Sequence, residues 1–488
     1  MADESLKSKT VKGTVWSALD AFLGQGVTFI VGIVLARLLT PDEYGLIGIC
    51  LIFNTVLNGI VDSGFSNALI RKKDCTNNDY NTMFLTNLLV SIVLYVLLFF
   101  CTPFFSIFFG REELTVLIRV TSIVLIFNAL SITQVTILTK KLDFKTKTKA
   151  SLFSALLSGF IGICMAYTGF GVWALVGQLV SRQMLYTLAL WLLNKWWPHL
   201  SFCMDSFRYM WGFGWKLLAS GLLNNVWNQL YQVVVGRYYS PVSLGHYTRA
   251  NDFSRICSDN FTFIVQRVSY PVFSELQDSP LRLLESVRKI TKLTMFITSI
   301  CLLIMAGISS QLILCILGPQ WVLASQYLPY ICFSVLLYPI QSLNLNILQV
   351  KGRSDLFLKL EIVKKILAIV PVLFGIFMSI KAMLICSIAY SVLCFFINSY
   401  YTESLIGYGS RKQLYDILPS LLIGCILFVV LRFMDLSLTI SWQSLFIEVI
   451  VACILTIILC KVFKLSEYTD IKNIVLSFFK QNGTISKL

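Results

Sequence analysis

Arg37-Leu-Leu-Thr40-Pro41-Asp-Glu-Tyr44-Gly45 recurs two hundred positions later as Arg237-Tyr-Tyr-Ser240-Pro241-Val-Ser-Leu244-Gly245, each copy closing one long apolar segment and opening the next. The chain is an internal duplication. Six candidate membrane spans lie between the copies. An even number of crossings brings both halves into the bilayer in the same orientation, related by an axis along the membrane normal, which is a transporter's geometry.

Composition agrees with the membrane reading. Hydrophobic residues make up 57% of the 488 and charged residues 13%, with a mean hydropathy of +0.76, against about 25% charged in soluble domains. Spans of about 20 residues with short connections use up nearly the whole chain, so no sizeable soluble domain fits beside them. The net charge of +15 is not gathered on one face or tail, as a nucleic-acid surface would require. It sits in alternate loops instead. Lys7, Lys9 and Lys12 precede the first span, Arg71, Lys72 and Lys73 follow the second, and Lys140, Lys141, Lys145, Lys147 and Lys149 follow the fourth. The pattern continues at Lys351/Arg353, at Arg411/Lys412 and from Lys461 to Lys487. The connections between, such as Pro41-Asp42-Glu43 and Arg111-Glu112-Glu113, carry little net positive charge. The positive-inside rule then puts the basic loops and both termini in the cytoplasm.

The expected spans are 13–39, 44–68, 80–109, 114–139, 150–168, 171–193, 208–236, 242–266, 289–317, 322–349, 356–380, 382–406, 414–434 and 442–463, fourteen in all. The fold class is an all-α polytopic membrane protein with two parallel-repeat lobes of six helices, 1–200 and 201–406, followed by two C-terminal helices and a cytoplasmic tail, 407–488. The first apolar stretch runs past signal-peptide length and lacks a small-x-small cleavage pattern, so it reads as an uncleaved signal-anchor. The fourteen cysteines fall singly, as at Cys50, Cys164, Cys301 and Cys386, with no C-x-x-C pair, and read as small packing residues rather than metal ligands. No G-x-x-x-x-G-K-[ST], H-E-x-x-H or G-x-S-x-G motif is present, so nucleotide hydrolysis, zinc proteolysis and serine hydrolysis lack their parts and the chain does not read as an enzyme.

What remains is a set of polar groups inside apolar helices, where membrane proteins carry function. Asp20, Gly24 and Thr28 share a face of the first span, and Ser220, Asn224 and Asn228 stand at the matching positions of the seventh. Asn54, Asn58 and Asp62 repeat the device in the second span, with Ser254, Ser258 and Thr262 at the same offset in the eighth. An ionised group facing lipid at mid-depth costs about 2.5–3.5 kcal/mol, so these faces are expected to line a shared wet interior. The eighth span also carries Arg249, Asp252, Arg255 and Asp259, spaced so that neighbours pair along one helix face. Either this ladder only neutralises itself, or Arg249 and Arg255 meet an anionic headgroup while Asp252 and Asp259 tune them or exchange a cation. Lys216, near the end of the seventh span, is a third candidate for the anion, unless it snorkels to the interface. Asp20 and Asp62 are candidates for cation coupling or for plain hydrogen bonding. Lys195-Trp196-Trp197-Pro198-His199 reads as an interfacial anchor, and the stretch from Pro271 to Lys289, with Leu281, Leu284, Val287 and Ile290 among charges, as a helix lying on the membrane surface.

The R-x-x-[ST]-P-x-x-[YL]-G boundary in both halves, Asp62-Ser-Gly-Phe65 with Ala68-Leu-Ile-Arg71, and Arg267-Val-Ser-Tyr-Pro271-Val-Phe-Ser-Glu-Leu-Gln277 resemble the bacterial polysaccharide-transporter family. A further pair, Leu142-Asp143-Phe144 and Asp355-Leu356-Phe357, is similar to it too. That family belongs to the multidrug, oligosaccharidyl-lipid and polysaccharide exporter superfamily. The resemblance implies two lobes forming a V, alternating access, and flipping of a polyprenyl-pyrophosphate-linked oligosaccharide to the outer leaflet of the bacterial cytoplasmic membrane, for O-antigen, capsule or exopolysaccharide synthesis. No cofactor is expected. Lacking a nucleotide site, such a chain draws on a proton or sodium gradient, a polysaccharide-assembly partner, or substrate supply and removal. Two other readings stand beside it. A cation-coupled drug antiporter of the same superfamily usually has twelve spans and a compact acidic site, and a polytopic polysaccharide enzyme keeps its catalytic residues in a large loop outside the bilayer.

Overall fold

The computed structural model describes Trp16 and residues 23–472, and among the described residues there is no strand. The chain divides into two compact units, 1–245 and 246–488. The duplication halves expected from sequence meet near residue 200, whereas this division follows the Gly245 that ends the second motif copy.

Unit 1 contains α1 (Gln25–Leu38), α2 (Pro41–Asp62), α3 (Phe65–Arg71), α4 (Asn77–Phe109), α5 (Leu114–Thr121), α6 (Ile123–Lys140), α7 (Phe144–Tyr167), α8 (Val172–Leu193), α9 (Met204–Tyr238) and the first turn of α10 (Pro241–Glu275). Unit 2 contains the rest of α10, then α11 (Pro280–Gly307), α12 (Ser309–Leu317), a 3-10 turn (Pro319–Trp321), α13 (Val322–Val335), α14 (Tyr338–Val350), α15 (Ser354–Leu367), α16 (Ile369–Phe377), α17 (Ile380–Ile406), α18 (Ser410–Ser437) and α19 (Trp442–Val462). The apolar segments expected from sequence fall largely on helix where they are described, with two-residue breaks at 63–64, 336–337 and 378–379. Nine helical stretches among the described residues are long and apolar enough to cross a membrane, counting adjoining helices together. The helices α9 and α10, 35 residues each, have the length but are too polar to join that set.

The duplicated motif restarts a helix by the same chemistry twice. Thr40 caps α2: its hydroxyl accepts from the Glu43 amide at 3.4 Å while the Glu43 carboxylate accepts from the Thr40 amide at 2.6 Å, closing a capping box with Pro41 in the first turn. In the second copy Ser240 accepts from the Ser243 amide at 3.1 Å ahead of α10, again with proline in the first turn. The motif's glycines have a different task. A Cβ built on Gly45 would lie 1.7 Å from the Pro241 carbonyl oxygen, and one on Gly245 2.0 Å from that of Pro41. The two copies cross at backbone contact. The same seam continues down α2 and α9, where a Cβ on Gly214 would come within 2.6 Å of the Ser63 carbonyl oxygen.

Charge is sorted to the helix ends within each unit. At one end of unit 1 the Lys140 ammonium donates to the Leu69 carbonyl at 3.1 Å and to that of Lys72, tying two basic loops together. At the other end Arg111 pairs with Asp42. In unit 2 the Lys351 ammonium donates to the Gln277 carbonyl at 2.6 Å. There the Arg353 guanidinium, with bonds of 2.9 and 2.8 Å, holds the exposed Asp355 carboxyl down at about 2. Asp355 thus departs from its sequence counterpart Asp143, which caps α7 by accepting from the Thr146 amide at 3.1 Å.

Two arginines illustrate how this helical core handles polar groups. Pro103 inside α4 cannot donate to the Phe99 carbonyl one turn back. Arg119 fills the gap: its Nε donates to that oxygen at 3.3 Å and to the Thr102 hydroxyl at 3.0 Å, with the guanidinium 4.0 Å above the Phe99 ring. Arg288 of α11, by contrast, clamps Asp416 of α18 with two bonds of 2.7 Å.

The surface helix expected over 271–289 does not form. Instead α10 runs through Pro271 to Glu275 and α11 begins at Pro280. Its apolar residues are used by protein rather than membrane: Phe273, Leu283 and Val287 are fully buried in a cluster with Leu343, Ile347 and Tyr408, and only Leu281 points out.

Candidate functional site

Asn54, Asn58 and Asp62 do lie along α2 at one-turn intervals, and the structure turns that stripe toward other helices of unit 1. The Asn128 amide of α6 donates to the Asn58 carbonyl oxygen at 2.7 Å, and Gln183 of α8 donates to the Ser131 hydroxyl at 3.3 Å beside it. Asp62 accepts from the Ser66 hydroxyl, which in turn accepts from that of Thr136 at 3.0 Å. Asn54 is buried and neither amide atom has a partner among the described residues. Asp20 lies outside the described residues.

The matching stripe of α9 is arranged the other way. Lys216, Ser220, Asn224 and Asn228 are all exposed, and it is their neighbour Asn225 whose amide lies against Gly59 of α2. The stripe of α2 is thus covered by protein, with hydrogen bonds at Asn58 and Asp62, and that of α9 is open. Asn58→Leu is accordingly expected to cost about 1–3 kcal/mol by stranding Asn128, with Asn58→Leu/Asn128→Leu recovering most of it. Asn224→Leu and Asn228→Leu are expected to leave melting temperature unchanged and to reduce transport severalfold. Paired thermal melts and transport measurements at matched abundance check both halves; unchanged transport in both α9 variants would show that their polarity is not used.

In unit 2 the two polar faces of α10 separate. Ser254, Ser258 and Thr262, expected to line a wet interior, are buried. Ser254 and Thr262 donate to carbonyls of their own helix at 2.9 and 2.7 Å. Ser258 is buried with its hydroxyl unpartnered among the described residues. The charged ladder is the open face: the side chains of Asp252, Arg255 and Asp259 are 50%, 52% and 52% exposed. Arg249 pairs with Asp252 at 2.8 Å, and Arg255 stands a loose 3.9 Å from Asp259. The exposed Arg255–Asp259 pair contributes about 0–1 kcal/mol, so it adds little to stability and its charges remain available to a ligand.

Tyr338 at the start of α14 lies within electrostatic reach of Arg255, Asp259 and Glu361, and Glu361 pairs with Lys364 on α15. None of these three was singled out from sequence, and neither were Asn128 and Gln183. Their one signal was a polar residue inside an expected span. Glu448, the sole acid of α19, gave the same signal and is fully buried, its carboxylate oxygens without partners among the described residues. No group of three or more His, Cys, Asp or Glu among the described residues could hold a metal ion.

A family model described as polysaccharide biosynthesis protein matches residues 34–326. The teichuronic acid biosynthesis protein TuaB of Bacillus subtilis is 24% identical over 358 residues, 72% of this chain and 73% of the relative. The lipopolysaccharide biosynthesis protein WzxC of Escherichia coli is 24% identical over 374 residues, 76% of each. The succinoglycan biosynthesis transport protein ExoT of Rhizobium meliloti is 23% identical, covering 66% of this chain and 65% of its own. Among solved structures, the lipid II flippase MurJ in an inward closed conformation superposes with a TM-score of 0.73 at 14% identity, over 94% of this chain and 99% of that one. An inward-facing multidrug transporter of the MATE family reaches 0.59 at 13% identity, over 84% and 96%. At such identity these structural likenesses establish the all-helical transporter fold.

Proposed function

We propose that this chain, which belongs to the polysaccharide biosynthesis protein family, is a flippase carrying a lipid-linked oligosaccharide across the bacterial cytoplasmic membrane by alternating access. It is a membrane transporter of polysaccharide biosynthesis and not an enzyme. The relatives named for teichuronic acid, lipopolysaccharide and succinoglycan support a glycan precursor as cargo, and the fold shared with a lipid II flippase supports a lipid-linked one. The observation that carries the reading is the charged ladder of α10, on which Asp252, Arg255 and Asp259 are half-exposed beside the Arg249–Asp252 pair. Such a face suits a substrate with a pyrophosphate and a polar glycan. A drug antiporter, which concentrates acids to hold a cation, fits the balanced ladder less well.

In this reading Arg249 and Arg255, with Lys216 as a third cation, meet the pyrophosphate through charge-assisted bonds, and Asn224 and Asn228 meet the glycan. Asn58, held by Asn128, is a positioning residue. Asp20, Asp62, Asp252 and Asp259 are where a proton or sodium ion would couple, and the basic loops and both termini face the cytoplasm. Polysaccharide-assembly proteins that supply or remove the glycan complete the proposal.

Arg255→Ala is expected to cut outer-leaflet arrival of the lipid-linked oligosaccharide at least tenfold at normal abundance. Arg255→Lys should recover only part, because lysine keeps the charge and loses the two-pronged fork. A self-neutralising ladder predicts something else: Arg255→Gln with Asp259→Asn deletes both charges and restores flux. Recovery to wild-type flux in that double variant sinks the anion-binding role.

A further inference from the structure

At the basic-loop end of unit 2, α11, α18 and the segment after α19 enclose a wedge of about 270 Å³. Leu418, Leu422 and Phe463 supply its apolar lining, and each is more than two-fifths exposed. Lys292, Lys464 and Ser466 supply donors. Two carboxylates also line it, and both are engaged: Asp416 by the Arg288 fork at 2.7 Å and the Tyr408 hydroxyl at 3.0 Å, Glu467 by the Ser466 hydroxyl at 3.3 Å. Arg288 clamps Asp416 from outside the wedge and Lys292 stands 3.3 Å from the same carboxylate, so with Lys464 three cations face the two carboxylates and one positive charge is in excess.

A second observation concerns Lys464. The last turn of α19 closes with the Leu465 amide on the Cys460 carbonyl at 3.1 Å, and Lys464 occupies the left-handed position of that turn with φ +49°. Glycine is the usual residue there, because a side chain is strained in that conformation. Lys464 accepts that strain and lines the same cavity as Lys292.

We propose that this wedge binds an anionic glycerophospholipid of the cytoplasmic leaflet, with its phosphate on Lys292 and Lys464 and its acyl chains along Leu418, Leu422 and Phe463. Bound there, the lipid fastens the end of α19 to α11 and α18. The assignment of leaflet rests on the orientation proposed above. A topology probe placing Lys464 outside would overturn that orientation alone and leave the binding result standing.

The test titrates the purified full-length protein in detergent with phosphatidylglycerol or phosphatidylcholine and follows its melting temperature. Phosphatidylglycerol is expected to raise it saturably and phosphatidylcholine to leave it unmoved, with affinity for phosphatidylglycerol reduced at least tenfold in Lys292→Gln/Lys464→Gln. Lys464→Gly separates binding from folding, since the strained position favours glycine. Its lipid-free melting temperature should rise while its response to phosphatidylglycerol falls. An unchanged response in both variants overturns the proposal, as does an equal response to phosphatidylcholine, which would mark an apolar groove only. Displacement of phosphatidylglycerol by undecaprenyl phosphate would assign the wedge to the transported lipid and equally overturn it.

Discussion

Gly45→Ala is expected to abolish transport while leaving a protein that reaches the membrane and melts well below the wild type. The added Cβ would lie 1.7 Å from the Pro241 oxygen and 2.3 Å from the Pro241 carbonyl carbon, inside any contact a real atom makes. Both neighbours are backbone in the first turn of a capped helix, so no side-chain rotation relieves them and the two helix starts must part. Overpacking in a core typically costs about 1–3 kcal/mol where side chains can give way, and a rigid obstacle puts this substitution at or above the top of that range. Gly245→Ala meets the Pro41 oxygen at 2.0 Å and should behave alike. The double variant should cost less than the sum, because one separation makes room for both methyl groups. Gly212→Ala in α9, with nothing within 4 Å of its Cβ, is the control and should hold wild-type melting temperature or gain slightly. Thermal melts in detergent with a transport measurement at matched abundance decide the matter, and a Gly45→Ala protein with normal stability and flux would refute the crossing.

What the sequence made legible and what it hid divide along a physical line. Local chemistry was readable: Thr40-Pro41 and Ser240-Pro241 announce helix starts, and both cap as their residue types require. Periodicity was readable too, since Asn54, Asn58 and Asp62 share a face as their spacing demands. The partner across that face was not. Asn128 lies 70 residues beyond Asn58 and carries no mark that it would turn toward α2 rather than lipid. The same limit explains α10, where hydroxyl stripe and charged ladder both follow helical spacing and only packing decides which side is covered. Small serines were buried, and the long charged side chains were left open.

Repetition gave a stronger signal than either. The recurrence of glycine at the ninth position of the motif had no local explanation, since both positions are helical and would tolerate alanine in isolation. Its cause is the approach of the two copies to each other. The stretch from Pro271 to Lys289 failed in the opposite way. Its amphipathic pattern was real, but amphipathicity alone does not distinguish a lipid surface from a protein one, and the cluster around Phe273 and Tyr408 took it.

Arg288→Met is expected to be the most damaging single change in unit 2, at about 3–5 kcal/mol, the range for stranding one member of a buried pair. The two partners are unequally placed: the Asp416 side chain is 0% exposed and that of Arg288 is 42% exposed. Removing the arginine therefore leaves a carboxylate that cannot return to water, whereas removing the aspartate leaves an arginine that can. Lys292 at 3.3 Å and the Tyr408 hydroxyl at 3.0 Å remain after the loss of Arg288 and hold the cost toward the lower part of the range. Asp416→Leu should cost less, and Arg288→Met/Asp416→Leu should recover most of the stability by deleting both charges together. Because the clamp joins α11 to α18, the single Arg288 variant should lose the C-terminal helices first, seen as early protease cleavage after residue 410 at temperatures where the rest of the chain resists. Melting curves of the three variants test the ordering. A double variant no more stable than Arg288→Met would mean that the clamp's contribution lies in its geometry rather than in satisfying the buried carboxylate.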